Sequence, residues 1–245
     1  VFIWLPEDTF NWDILTFIGL ALIFLNLIRK IPTEVLIFGI LLVMILSPAV
    51  QIISDYYAFW INGYFEHDLT LSDVLLGYVA TGYFPLFPWL IFPAIGFVIA
   101  PTFLQPASMT SRDQKHSRLL LVTCLSIGCI AASLLLQQLT FLPTSIYQRT
   151  MFPASTSYLL RAIGLSTLSL CVLYFVVDKK RNEKTYSRTY RKLIHSFGVI
   201  SKHSLSIYLL HHAIHLWPLW MYGLLTAGEP TAHWQKLTPV FLSSA

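Results

Sequence analysis

Polar and apolar positions in this chain separate into long blocks rather than alternating residue by residue. Each apolar block runs for about 20 residues, the length a helix needs to cross the hydrocarbon of a bilayer at 1.5 Å per residue. Six such blocks are present, roughly Trp12–Ile28, Val35–Ile53, Phe84–Phe103, Leu119–Leu139, Tyr158–Val177 and Ser204–Leu225, and Leu237–Leu242 opens another. Backbone donors and acceptors have no partner in lipid, so each block must close its own hydrogen bonds as a helix. The expectation is an all-α polytopic transmembrane helix bundle, six spans plus a partial seventh, forming one domain over 1–245. The chain starts at Val1 rather than Met, and its last apolar block breaks off partway. It therefore reads as a fragment of a larger bundle lacking N-terminal spans.

One block departs from the plain pattern. Gly82–Gly96 reads GYFPLFPWLIFPAIG, with Pro85, Pro88, Pro93 and Trp89 inside an otherwise apolar run. Each proline removes a backbone donor and crowds the preceding turn. The stretch is expected to be the distorted opening of a membrane helix around which the other helices pack.

Composition agrees with the blocks. The 245 residues are 56% hydrophobic and only 11% charged, against about a quarter charged in an average soluble domain. The net charge of +4 says little, but its distribution sets a topology. Thirteen of the sixteen Lys and Arg residues fall in three alternate connections, 29–33, 103–118 and 178–202. The positive-inside rule places these basic loops on the cytoplasmic side. The remaining three are Arg149, Arg161 and Lys236. The connection Ser54–Ser72 on the other face is rich in aromatics and acids, and is expected to hold a short helix at headgroup level, with a further one over Leu71–Tyr78. Cys124, Cys129 and Cys171 all lie within spans, where thiols pack as small apolar groups. The chain shows no Gly-rich phosphate loop, no CxxC, no GxSxG and no pattern suited to nucleic acid.

Against this background, polar groups at lipid depth are the candidate chemistry. Arg161 lies about a turn inside its span, a costly position that reads as a site for a substrate phosphate or carboxylate. The competing reading is an arginine that snorkels outward, or one paired with Asp13 or Asp73. Asp13 opens the first span, where a helix N-terminus also favours a carboxylate. His67, between Glu66 and Asp68, has the neighbours of a general base. His211 and His215 are four residues apart on one helix face. With no third ligand in sequence they read as part of a polar seam with Ser204 and Tyr208, and no metal is expected. The basic run over Lys179–Lys202 is either lipid-directed or a docking surface for a polyanionic donor or a partner subunit.

Four stretches carry a likeness to known proteins. WDILTFIGLALIFL (Trp12–Leu25), GYFPLFPWLIFPAIGF (Gly82–Phe97), FPASTSYLLRAIG (Phe152–Gly164) and SKHSLSIYLLHHAIHL (Ser201–Leu216) resemble, in order and style, the heparan-alpha-glucosaminide N-acetyltransferase family, and more closely its bacterial relatives. The resemblance implies transfer of an acyl group, usually acetyl from acetyl-CoA, to a sugar on the far side of the membrane. The family's opening Asp-x-x-Arg-Gly helix and the loop bearing its essential histidine have no counterpart here, so that role does not pass to His67 by position. The expected function is an acyl-CoA-dependent membrane acyltransferase, with His67 and His211 as catalytic candidates. Asp13, Trp89, Arg161, Tyr208 and His215 are the candidate substrate-binding residues. The partners implied are the lipid bilayer, acyl-CoA and a glycan acceptor, with partner subunits or a homo-oligomer and no nucleic acid. The alternative is a non-catalytic scaffold subunit derived from this family. A transporter is disfavoured, because no paired broken helices occur in matching halves.

Overall fold

The computed structural model describes residues 14–61, 64–65, 70–104, 112–178 and 188–228. Contacts divide the chain into two compact units, Pro6–Asn182 and Glu183–Ala245 together with Val1–Leu5.

The first unit begins with α1 (Ile14–Ile28) and α2 (Thr33–Ile53). A tight turn carrying Arg29 and Lys30 joins them, with Pro32 preceding the first residue of α2. The connection after α2 differs from the headgroup helix expected there. It is a single 3₁₀ turn (Tyr56–Phe59) followed by a two-residue antiparallel ladder, β1 (Trp60–Ile61) with β2 (Tyr64–Phe65). Aromatic and β-branched residues favour extended backbone, and Asp55 at φ 46° turns the chain sharply out of the helix.

Then comes α3 (Leu71–Leu76), capped by Thr70, whose Oγ1 accepts from the Asp73 amide at 3.3 Å. It runs into a π-helical turn over Gly77–Thr81. The backbone breaks at Gly82–Pro85, resumes as α4 (Leu86–Trp89), and continues as α5 (Ile91–Leu104). The interruption expected from the prolines is thus present, and it lies at the centre of the packing. Phe17, Ala21, Trp89, Ile91, Ala154, Leu159 and Ile163 form one buried cluster that draws on α1, the broken segment and the stretch 154–163.

The longest described helix, α6 (Arg112–Leu136), is followed by the short α7 (Thr144–Tyr147), then α8 (Thr156–Leu173) and a π-helical turn over Tyr174–Asp178. α6 and α8 pack antiparallel. Ser126 and Ile130 meet Gly164, while Ser133 and Gln137 meet Ser157. A Cβ built on Gly164 would lie 2.7 Å from both Ile130 Cγ1 and the Ser126 carbonyl oxygen. Only hydrogen fits there, which is the close-approach device of membrane helix pairs. Nearer the α6 C-terminus, the Ser133 hydroxyl donates to the Ser157 carbonyl at 2.7 Å, and Gln137 Nε2 donates to Ser157 Oγ at 3.2 Å. Such bonds hold helices together where the hydrophobic effect does not act between them.

Contacts also define the two ends of this unit. At one end, Lys115 Nζ lies 4.9 Å over the Tyr174 ring, and Phe103 meets the same ring edge-on at 6.0 Å. The opposite end gathers the C-terminus of α2, the break at Gly82 and the N-terminus of α8. Among the described residues, four helical segments, Thr33–Ile53, the interrupted Leu71–Leu104, Asp113–Leu136 and Thr156–Val177, are long and apolar enough to cross a membrane, and Ile14–Ile28 is a shorter apolar helix. Their outer surfaces are apolar as well: Leu27, Ile45 and Ile53 are each more than two-thirds exposed. A surface of that kind requires lipid around it. The chain is an integral membrane protein. All three cysteines are free.

In the second unit, α9 (Arg188–Lys202) is followed after His203 by α10 (Ser204–Ala227). Part of the stretch read as a basic loop over 178–202 is therefore helix. Reading the charges alone hides the apolar residues that recur between them at helical spacing. α10 ends at Gly228, whose φ of 75° is the left-handed cap for which glycine is favoured.

Candidate functional site

The end of the first unit where α2, the proline-rich break and α8 meet is built by side chains reaching for backbone groups. Tyr56, immediately after α2, donates its hydroxyl to the Gly82 carbonyl at 3.2 Å, so it holds an acceptor that the interruption frees. Gln51 occupies the last turn of α2. Its Nε2 donates to the Ala154 carbonyl at 2.9 Å and to Ser47 Oγ at 3.2 Å. This ties α2 to the turn that precedes α8.

That turn is held by Thr150 and Ser155. The Thr150 hydroxyl donates to the Pro153 carbonyl at 2.9 Å. Ser155 caps α8, its Oγ accepting from the Tyr158 amide at 3.1 Å. Loss of an N-cap hydroxyl costs about 1 kcal/mol. Ser155→Ala should therefore lower the melting temperature of the purified protein by roughly 2–4 °C, read by thermal shift in one detergent.

The turn presents Phe152 to an aromatic cluster. Its ring meets Tyr83 and Phe84 edge-on, both at 5.7 Å between centroids. Phe84 lies 4.8 Å from Trp89, which stacks on Phe92 at 5.5 Å and meets Tyr158 at 6.3 Å. Trp89, a candidate from sequence, is thus buried inside a cluster that joins the broken span to α8. Tyr158 is brought against it, although the sequence reading did not select that residue.

Arg161 is on α8, three residues and hence one turn beyond Tyr158 on the same face. It is half-buried, and its guanidinium has no hydrogen-bond or ion-pair partner among the described residues. The pairing with Asp73 considered from sequence does not form. Among the described residues, three polar atoms are buried without a partner: Gln51 Oε1, Thr81 Oγ1 and Ser145 Oγ. Gln51 is 5% exposed, Thr81 0% and Ser145 8%. A buried polar atom left unpaired costs roughly 1–3 kcal/mol, so such atoms concentrate where water or a ligand supplies the missing bond. All three belong to elements packed around the C-terminal half of α2. Sequence reasoning missed them because serine, threonine and glutamine near span ends are ordinary, and only the packing reveals which of them lack partners.

The other candidates stand differently. Asp13 and His67 lie outside the described residues. Tyr208, His211 and His215 are all on α10 in the second unit, with Tyr208 half-buried. The side chains of His211 and His215 lie outside the described set.

Apolar helices with lipid-facing outer surfaces, packed around a broken, aromatic-lined segment, define the class: helical integral membrane proteins. The family model for heparan-alpha-glucosaminide N-acetyltransferase, catalytic, matches residues 1–125, and the chain belongs to that family. The match takes in α1, α2, the proline-rich break and α5, and reaches into α6. The stretches Phe152–Gly164 and Ser201–Leu216, which also carry a likeness, lie beyond it. No curated protein and no solved structure matches the chain.

Proposed function

We propose that this chain is an integral membrane acyltransferase, moving an acyl group, acetyl first among them, from acyl-CoA to a sugar or similar acceptor across the membrane. Members of the family use acetyl-CoA as donor in general. The observation that carries the reading for this chain is Arg161, a cation within an apolar helix that has no hydrogen-bond or ion-pair partner among the described residues and lies one turn from the Trp89–Tyr158 contact. A guanidinium held in a poorly solvated place binds phosphate or carboxylate strongly, because charge-assisted bonds gain strength where water is scarce.

In the reaction the acceptor amine or hydroxyl attacks the thioester carbonyl. A general base takes its proton, the C–S bond breaks, and coenzyme A leaves as the thiol once the sulfur is protonated. His67 and His211 are the bases we assign for test, and Asp13, Trp89, Tyr208 and His215 are the further substrate-binding candidates, each to be tested by its own substitution. Gln51, Thr81 and Ser145 add neutral hydrogen-bonding groups suited to sugar hydroxyls, while backbone or side-chain donors near the thioester would stabilise the oxyanion. The topology that goes with this reading has six spans and the start of a seventh, with the basic connections on the cytoplasmic side.

The test is direct. Purified chain in nanodiscs, given radiolabelled acetyl-CoA and glucosamine, should yield labelled N-acetylglucosamine, and His67→Ala or His211→Ala should lower the rate about a hundredfold or more. If neither transfer nor thioester hydrolysis occurs at any acceptor concentration, the scaffold reading takes its place.

A further inference from the structure

Acyl transfer as proposed makes no use of α9, and the surface of that helix asks for a partner of its own. Tyr190, Leu193, Ile194, Phe197 and Ile200 recur at the spacing of one helix face, whereas Arg188, Arg191, Lys192, His195 and Lys202 fall on the other side. Val199 is the one large apolar residue on the basic side, and the helix contains no acid. Phe197 is 64% exposed and Ile200 54%, while Lys192, His195 and Lys202 are exposed on the opposite face.

What covers the apolar face follows from the next helix. Only His203 separates α9 from α10, whose 24 residues span about 36 Å. α10 exposes Leu205, Leu210, Ile214 and Met221, each by more than half. Large apolar side chains exposed in this way call for lipid around them. The C-terminal end of α9 therefore meets the membrane surface, where a basic amphipathic helix has its lowest free energy lying flat.

We infer that α9 is an interfacial helix that binds the surface of an anionic phospholipid leaflet. Phe197 and Ile200 enter the acyl boundary, and the lysines and arginines contact lipid phosphates. The commitment to anionic lipid rests on charge: zwitterionic lipid accommodates the apolar face equally well, but each basic residue favours an anionic surface by roughly a further fivefold. This inference is independent of acyl transfer and stands or falls without it.

The experiment uses the full chain. A Phe197→Cys variant in which Cys124, Cys129 and Cys171 are serine carries an environment-sensitive NBD label and is reconstituted into vesicles. One set is phosphatidylcholine alone, and the other is equimolar phosphatidylcholine and phosphatidylglycerol. The label should be blue-shifted and quenched by shallow spin-labelled lipid in the anionic vesicles, several-fold more than in the neutral ones. Adding Arg191→Gln and Lys192→Gln should abolish most of the difference, as should high salt. Should the cysteine-free chain not fold, hydrogen exchange of the unmodified chain in the same vesicles gives the second reading. Amides of 188–202 should exchange several-fold more slowly with anionic lipid. Equal burial in both lipids, or a label shielded from lipid quencher by a second copy of the chain, would overturn the inference.

Discussion

Arg161→Gln should raise the KM for acyl-CoA roughly ten- to a hundredfold, the range expected when charge-assisted bonds to an anionic donor are lost. Arg161→Met should do the same. The second half of this expectation concerns stability and has the opposite sign. A cation without a partner at the bilayer centre costs about 2.5–3.5 kcal/mol. Arg161 is only about 8 Å from the start of α8, so its own cost is smaller, on the order of 1 kcal/mol. Arg161→Met should therefore melt a few degrees above the parent protein in the same detergent. An arginine holding the fold together through an ion pair would behave the other way, losing stability on removal. The pair of measurements, acyl-CoA kinetics and thermal shift on one variant, separates a ligand-directed arginine from a structural one. Unchanged kinetics would remove the main support for the proposed donor site.

The second large effect is expected at Gly164. The methyl of Gly164→Ala meets the Ser126 carbonyl and Ile130 Cγ1, each 2.7 Å from where its carbon must sit. A side chain can rotate away, but a backbone carbonyl moves only with its helix. α6 and α8 must then separate, which stretches the Ser133–Ser157 and Gln137–Ser157 bonds further along the pair. Overpacking of this kind costs about 1–3 kcal/mol. Gly164→Leu should exceed that, with a fall of roughly 5 °C or more in melting temperature. Gly128→Ala is the control, since nothing lies within 4 Å of its Cβ position. It replaces the same residue type on the partner helix and should be neutral or slightly stabilising, because alanine is the better helix former. Equal effects at Gly164 and Gly128 would show that close approach at this crossing is not what holds the pair.

Much of the architecture could be read before any coordinates, and the reason is the solvent. Lipid tolerates little besides helices, so apolar blocks such as Val35–Ile53 translate directly into spans, and a proline cluster such as 85–93 can hardly avoid interrupting one. Likewise, the Pro153-x-Ser155 pattern ahead of Tyr158 is a local capping signal and becomes one. The site was less legible. Trp89 was singled out as the indole within the proline-rich run, but its partner Tyr158, and Phe152 beside Phe84, come from a part of the chain related to it only through folding. Gln51 looked like any polar residue near a span end, yet it bonds to Ala154, 103 positions away. The helix α9 was obscured for a different reason. Its basic residues attracted a topological explanation, and the apolar residues between them were left out of account.

One consequence of the proline-rich break concerns permanence. A helix that begins within a membrane normally has four amide hydrogens with nothing to bond. Here Pro88 is the third residue of α4, and Pro93 is the third residue of α5. Each takes away one of those hydrogens by covalent structure, so fewer are left stranded in a dry environment. The same substitution works in reverse on the continuous alternative: a straightened helix through 82–96 would need donors that these residues do not possess. The joint is thus a fixed elbow in the scaffold, and no rearrangement of neighbouring helices can anneal it.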